Sequence, residues 1–349
     1  MSSAPYLGRA LSLAALLLGV LACSPAPQEH QATAPTGRYE GTLTFRGAEL
    51  PVALNVMQDT GSQLVQICLL TTDQPLYSRT FDSVTYQTPA LMGRLPGGPR
   101  LVLREEPNFL TGTVWLNDTL RAELVAVRRG SPAAPVYTLT RTATGRLPLL
   151  RFQPLDTARR RVAVLVWPPA GSPDAAYGWA GWLAEQGILA VVALPGPAAD
   201  SVAARQLTVA LRQLRQSPGV DSARVGVWAT GGAGRAAALA AAEGGAAFAV
   251  LQGSSFTPAD RPSLRMLGRR AVPVLGLYGG HDTTLNVRES SQQLRNAVGR
   301  RRGSGVKVYE QANGGLLLPA ATDSVRHWPQ LPADLLPRLQ QWLEAMRPR

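Results

Sequence analysis

The side chains of this sequence that could do chemistry are few, and most of them follow apolar runs typical of buried strands. Asp282 comes just after the apolar run 272–278, and His281 directly precedes it. Hydroxyl side chains follow two other apolar runs, at Thr230, Ser254 and Ser255. The chain has three histidines, which are His30, His281 and His327. A hydroxyl nucleophile, an imidazole base and a carboxylate that orients the base are the groups of acyl-transfer catalysis. These residue types are present, so their order along the chain decides whether a site can be assembled.

Residues 225–234 join a predicted strand to a predicted helix through a run of small residues. This segment resembles the nucleophile elbow of dienelactone-hydrolase-like and acyl-peptidase-like α/β-hydrolases, in which the serine of G-x-S-x-G lies on a sharp strand-to-helix turn. Ala229 and Ala233 are small enough for that turn, but Gly231 stands where the resemblance places the serine. Glycine adopts an unusual backbone conformation at no steric cost. It has no side chain that could attack a substrate.

The acid and base positions of the same family can be placed in the same way. Residues 273–282 resemble the strand and turn that end in the family's catalytic aspartate, so the resemblance gives Asp282 the role of orienting a histidine. Residues 306–316 resemble the family's G-A-x-H-G stretch, with Gly314 where the histidine belongs. A structural alternative for Asp282 is that it fixes its turn or caps the helix that begins near Asn286.

Residues 167–171 take the place of the family's oxyanion-hole segment, H-G-x-G, and depart from it. Pro168 and Pro169 remove two potential backbone donors. Together with Gly231 and Gly314, these prolines make three linked losses. The main hypothesis is therefore a catalytically inactive hydrolase homologue that acts in binding or envelope assembly, and its cleft could still hold a small-molecule or peptide ligand.

Two other interpretations stay open. One is an active carboxylic-ester or peptide hydrolase with a rearranged site. Its groups would come from Asp282, His281 or His327, and a hydroxyl of Thr230, Ser254 or Ser255. The other is an interaction module, in which an N-terminal β domain binds a partner and the remainder is a scaffold.

The first 36 residues predict export and a lipid anchor. Arg9 precedes the apolar run 10–22, which is too short for a stable span and is typical of a signal peptide. Residues 20–23 resemble the lipobox of bacterial lipoproteins, which implies cleavage before Cys23 and its acylation. We therefore expect a signal peptide over 1–22, a lipidated flexible tether over 23–36, and a place in a bacterial cell envelope, periplasmic or outer-membrane. An ordinary signal peptide with an incidental cysteine is the alternative.

Composition limits the partners and cofactors. The formal net charge is +12, and the basic runs 159–161 and 300–302 are either a solvated surface or an attraction to an anionic envelope surface. An exported chain without aromatic-interleaved basic motifs is not expected to bind nucleic acid. The glycines of 226–234 do not fit a nucleotide loop, and Cys68 is expected to be a buried thiol, so no cofactor or metal is expected.

Hydrophobic periodicity predicts two kinds of structure. Residues 37–142 alternate apolar and polar positions between turn residues, which predicts a small antiparallel barrel or sandwich. In residues 143–349, continuous apolar strands alternate with amphipathic helices, which predicts a mostly parallel sheet with helices on both faces. The α/β class follows from periodicity, whereas the α/β-hydrolase type follows from the resemblance.

Overall fold

The computed structural model describes residues 33–58, 64–72, 74–117, 120–156, 161–299, 301, 303–319, 321–322 and 325–346. Residues Ala34–Arg349 form one compact unit. The expected signal peptide, Cys23, His30, and most of the arginines in runs 159–161 and 300–302 lie outside the described residues. No helix within the described ranges combines the length and the apolar character needed to cross a bilayer.

The N-terminal part is a closed antiparallel barrel. Its strands are β1 (Gly37–Phe45), β2 (Ala48–Gln58), β3 (Val65–Thr71), β4 (Arg79–Gln87), β5 (Ala90–Arg94), β6 (Arg100–Glu106), β7 (Phe109–Trp115) and β8 (Arg121–Gly130). Each strand pairs with the next, and β8 returns to β1, so the sheet has no free edge. The alternation seen in the sequence places side chains such as Leu101 and Leu103 inside and Arg100 and Val102 outside.

The C-terminal part is built on one mixed sheet. Its strands are β9 (Tyr137–Thr144), β10 (Leu147–Pro154), β11 (Arg161–Trp167), β12 (Leu189–Ala193), β13 (Val220–Thr230), β14 (Ala249–Gln252), β15 (Val274–Gly279) and β16 (Gly305–Tyr309). The order is β16-β15-β14-β13-β11-β12-β10-β9. Strands β11 to β16 are parallel, and β10 and β9 are antiparallel at one edge. The predicted mostly parallel sheet is thus present, with an antiparallel edge.

Helices cover both faces of this sheet. They are α1 (Asp174–Glu185), α2 (Asp200–Gln216), α3 (Gly234–Gly244), α4 (Arg261–Arg269), α5 (Val287–Val298) and α6 (Leu335–Ala345). Helices α2 to α5 share one hydrophobic core with one face of the sheet. Helices α1 and α6 pack on the other face, in a core that continues into the barrel. A short hairpin, β17 (Ala321–Thr322) and β18 (Val325–Arg326), precedes α6.

The barrel and the sheet are joined by buried polar contacts as well as by this shared core. Trp328 packs on Tyr77 with ring centroids 5.1 Å apart, and its Nε1 donates to the Ala48 carbonyl at 3.1 Å. Buried Arg79 donates to the carbonyl of Asp174 at 2.9 Å. Strand β9 pairs with β10, so residues 137–142 lie in the second sheet, whereas the sequence placed them with the barrel. That difference arises because β9 alternates like a barrel strand, being an antiparallel strand at an edge.

Candidate functional site

The turn after β13 has the backbone shape of a nucleophile elbow. Thr230 ends the strand in an extended conformation, with φ −121° and ψ 144°. Gly231 then takes φ +57°, and a single 3₁₀ turn, Gly231–Ala233, leads directly into α3. A left-handed residue between a strand and a helix is what a strained nucleophile turn requires. The structure therefore places Gly231 at the apex of this turn.

The surroundings of Gly231 leave room for a side chain. A Cβ at this position would meet only Pro169 Cγ, at 3.3 Å. The next residue, Gly232, would meet nothing within 4 Å. Space is therefore not what excludes a nucleophile here. Gly231 itself carries no side chain, so the apex of this turn presents no nucleophilic group.

The segment that follows β11 covers the same turn. Trp167 ends that strand in the core, and Pro168 and Pro169 come next without N–H groups to donate. A cavity of about 130 Å³ opens beside this segment. Its lining is Pro96, Gly97, Pro168, Pro169, Gly171, Pro173, Leu194 and Pro195. One of these residues, Pro169, also borders Gly231. Because most of the lining is proline and leucine, the contacts of this proline-lined groove to any ligand are mainly apolar.

Asp282 lies at the turn after β15, and its carboxylate holds that turn. Its Oδ1 accepts from the backbone N–H of Thr284 at 2.8 Å and from the Thr284 hydroxyl at 2.6 Å. The following helix, α5, is capped instead by Asn286, which accepts from the N–H of Glu289 at 3.0 Å. Of the two structural roles considered for Asp282, fixing the turn is the one that the contacts support.

Gly314 lies against that carboxylate. A Cβ built on Gly314 would be 2.6 Å from Asp282 Oδ2 and 3.0 Å from Oδ1. A Cβ on Gly253, which follows β14, would lie 3.5 Å from the same Oδ2. The structure thus brings the predicted acid and base positions together. A side chain at position 314 would therefore require the half-buried Asp282 carboxylate to shift.

Two histidines, His281 and His327, lie within the described residues. His281 is exposed, and its backbone N–H donates to the Ala312 carbonyl at 2.9 Å. His327 pairs through Nδ1 with the carbonyl of Trp328 at 2.8 Å. Among the hydrogen bonds of the described residues, none joins a histidine ring to a carboxylate or to a hydroxyl.

The candidate hydroxyls differ in their access to solvent. Ser254 is fully buried, and a Cβ on Gly234 would approach its Oγ to 2.1 Å, so the first turn of α3 lies directly on it. Tyr278 donates to the Ser254 carbonyl at 3.1 Å, and burial raises the pKa of Tyr278 well above its ordinary value. Ser255 is exposed and Thr230 is half-buried. Ser254 is therefore closed to a substrate.

A second cavity, which the sequence did not indicate, lies beside the start of α3. It has about 200 Å³ and is lined by Asp200, Ser201, Arg235, Ala238, Leu239, Phe256, Asp260, Ser263 and Leu264. Arg235 Nε donates to Asp260 at 2.8 Å and lies 3.5 Å from Asp200. The only sequence signal was the pair Thr257 and Asp260, whose spacing fits a capping box. These contacts link the first turns of α2 and α3 to Asp260, the residue that directly precedes α4.

No group of three or more metal-ligating side chains comes together within the described part of the chain. Cys68 is buried, as expected, and accepts a hydrogen bond from Thr80 Oγ1 at 3.6 Å. Burial raises the pKa of its thiol, which keeps the sulfur protonated and poorly reactive.

Comparisons with known proteins return hydrolase structures. No protein-family model matches the chain, and no curated protein matches it. A protein of Klebsiella pneumoniae assigned as a dienelactone hydrolase has 17% sequence identity and a TM-score of 0.47, over 60% of this chain and 99% of that one. Esterase 2 of Thermogutta terrifontis, phosphoramylated by tabun, has 18% identity and a TM-score of 0.43, over 61% and 93%. Similarity at this level assigns no activity to this chain.

Proposed function

We propose that this chain is an exported, lipid-anchored α/β-hydrolase-like protein that is catalytically inactive and acts by binding. The observation that carries the proposal is Gly231. It adopts φ +57° at the apex of a strand-to-helix turn and therefore keeps the conformation that an elbow nucleophile needs. It lacks the nucleophile itself. Removal of one member of a catalytic triad costs most of the rate, because the members act as a unit.

The relationship between Asp282 and Gly314 supports the same proposal. A general base at position 314 would have to displace the carboxylate that should orient it. Asp282 already uses Oδ1 to hold Thr284. This side chain therefore serves the fold of its loop.

The binding part of the proposal is supported by the proline-lined groove. It lies at the carboxyl end of β11 and β12, which is the edge of an open α/β sheet where ligands usually bind. Its proline and leucine lining favours a small apolar molecule or an apolar peptide side chain. The lipid anchor on Cys23 and the envelope location remain proposals that depend on the lipobox resemblance.

Labelling with a fluorophosphonate probe and turnover of short-chain aryl esters test the inactive assignment. Residues 34–349 are used, since they contain the described strands, helices and both cores. We expect neither labelling nor turnover above the buffer rate. The matched variants are Asp282→Ala, Thr230→Val and Ser255→Ala. Labelling or turnover that any of these abolishes would reveal a working rearranged site and overturn the proposal.

A further inference from the structure

The outer face of the barrel carries a row of cationic and aromatic side chains. Arg94 of β5 lies opposite Arg100 of β6, which lies opposite Trp115 of β7, which lies opposite Arg121 of β8. We call these four side chains the arginine row. The guanidinium of Arg100 lies 4.6 Å from the Trp115 ring centroid, and that of Arg121 lies 5.6 Å from it. Cation–π contacts thus hold two of the three cations in place.

The row itself carries three arginines and no carboxylate, whereas the next row ends in one acidic side chain, Glu123 of β8. Arg94 and Arg100 are exposed and face each other directly, and like charges at opposite positions destabilise an antiparallel pair. The ion pairs of the described residues include none of Arg94, Arg100 or Arg121. An arrangement that costs stability in the free protein would gain it on contact with anions. The row is therefore suited to bind a surface that carries phosphate groups.

The rows next to the arginine row contain exposed apolar side chains, which distinguish a membrane surface from a soluble polyanion as the binding partner. Met92 and Val102 lie opposite each other in the next row, and both are exposed, by 40% and 42%. In the row after that, Arg104 of β6 and Val125 of β8 both lie opposite Thr111 of β7, and Val125 is 51% exposed. A soluble polyanion would use the arginines and leave these apolar side chains in water. A bilayer surface offers phosphates to the guanidinium groups and acyl-glycerol to the apolar groups and the indole.

We propose that the β5–β8 face of the barrel docks on a membrane surface that contains anionic phospholipid. The arginine row contacts the headgroup phosphates, and Met92 and Val102 enter the interface beside it. This inference is independent of the missing nucleophile, because the face lies on the barrel and uses none of the elbow residues. It would hold for an active or an inactive protein.

Vesicle co-sedimentation of residues 34–349, which lack the lipid-anchor segment, tests the docking. The vesicles are phosphatidylcholine alone, or phosphatidylcholine and phosphatidylglycerol in equal parts. We expect binding to the mixed vesicles only, and weaker binding at higher salt. Each arginine near an anionic surface contributes about fivefold in affinity. Arg100→Gln/Arg121→Gln should therefore weaken binding about 25-fold, and Arg94→Gln, which leaves Trp115 untouched, about fivefold.

The matched control is Arg265→Gln/Arg269→Gln, which removes the same charge from exposed positions on α4. It should bind the mixed vesicles nearly as the parent does. Equal weakening by both double variants would mean that net charge alone drives binding, and would overturn the assignment of the face. So would an absence of binding to the mixed vesicles.

Binding of soluble polyphosphate, measured beside vesicle binding, distinguishes docking on a membrane from general binding of polyanions. Met92→Ser/Val102→Thr keeps every arginine, so it should weaken vesicle binding and leave polyphosphate binding unchanged. If this variant binds the mixed vesicles as tightly as the parent, the apolar side chains take no part, and the lipid assignment is wrong. The melting temperature of each variant shows whether the barrel remains folded.

Discussion

The carboxylate of Asp282 occupies the space in which a side chain on Gly314 would begin. Its Oδ2 lies 2.6 Å from the ideal Cβ position of Gly314, closer than such atoms come in folded proteins. Asp282 and Gly314 belong to the loops after two neighbouring parallel strands, β15 and β16. The two positions that the sequence resemblance singled out as acid and base therefore lie side by side.

The first prediction concerns that contact. Gly314→Ala should destabilise the protein by about 0.5–1.5 kcal/mol, because the Asp282 carboxylate must shift and loosen its bonds to Thr284. In an Asp282→Ala background the same change should cost much less, since the obstructing carboxylate is gone. Urea unfolding of the parent, both single variants and the double variant gives the coupling energy. Additive effects would show that the two side-chain positions do not compete for space.

The second prediction concerns the backbone of the elbow. Gly231→Ala should cost about 1–2 kcal/mol, because φ +57° is unfavourable for a residue that carries a Cβ. The matched control is Gly232→Ala, the next residue, whose Cβ would meet nothing within 4 Å and whose φ is not left-handed. It should be nearly neutral. Equal costs for the two variants would mean that Gly231 is retained for a reason other than its conformation.

Much of the fold could be predicted from the sequence, and the failures have a common physical cause. The sequence placed the start of a helix near Asn286, and α5 begins at the next residue, with Asn286 as its cap and Gly299 at its end. Strand β4 departs from the alternation of the other barrel strands, because its first residues, Arg79, Thr80 and Phe81, are all buried where a helix and the sheet cover the barrel. That covering removes the period-two pattern. Strand β5 and helix α4 span only five and nine residues, which leaves little sequence in which a hydrophobic period can be recognised.

The candidate site shows the same division. The order of motifs along the chain singled out Gly231, Asp282 and Gly314 as candidate positions, because each motif is local. It could not predict that α3 closes over Ser254 or that Asp282 fills the space at Gly314. Both facts depend on contacts between segments far apart in sequence.

The third prediction is a loss of stability at alkaline pH. Burial raises the pKa of Tyr77, Tyr137, Tyr177 and Tyr278 above the ordinary value of 10.0. Above about pH 10 the unfolded chain releases these phenolic protons and the folded chain keeps them, so the free energy of unfolding falls as pH rises. Burial of Arg79 lowers its pKa to about 10. Above that pH the folded chain binds one proton fewer at Arg79 than the unfolded chain does, so this one group raises the free energy of unfolding and offsets about one tyrosine.

The four tyrosines less Arg79 amount to about 2–3 kcal/mol lost by pH ~10.5 relative to pH ~8. The buried Cys68 thiol, whose pKa is also raised, adds to this loss. Urea unfolding at several pH values measures the loss. Tyr137→Phe/Tyr278→Phe should remove about 1–2 kcal/mol of it, whatever the double variant costs at neutral pH. A slope that this double variant leaves unchanged would place the alkaline transition in other groups.

The fourth prediction is that barrel and sheet unfold together. Trp328 precedes α6 in the sequence but lies between two rings of the barrel part, 5.8 Å from Phe45 and 5.1 Å from Tyr77 by centroid. Trp328→Ala should cost about 3–5 kcal/mol, because it opens a cavity in the core that the two parts share. Trp328→Phe keeps most of the packing and loses the bond to Ala48, so it should cost about 1–2 kcal/mol beyond any repacking. Calorimetry should show one transition for the parent and for both variants. Two separated transitions, only one of which shifts in Trp328→Ala, would show instead that the contact does not couple the barrel to the sheet.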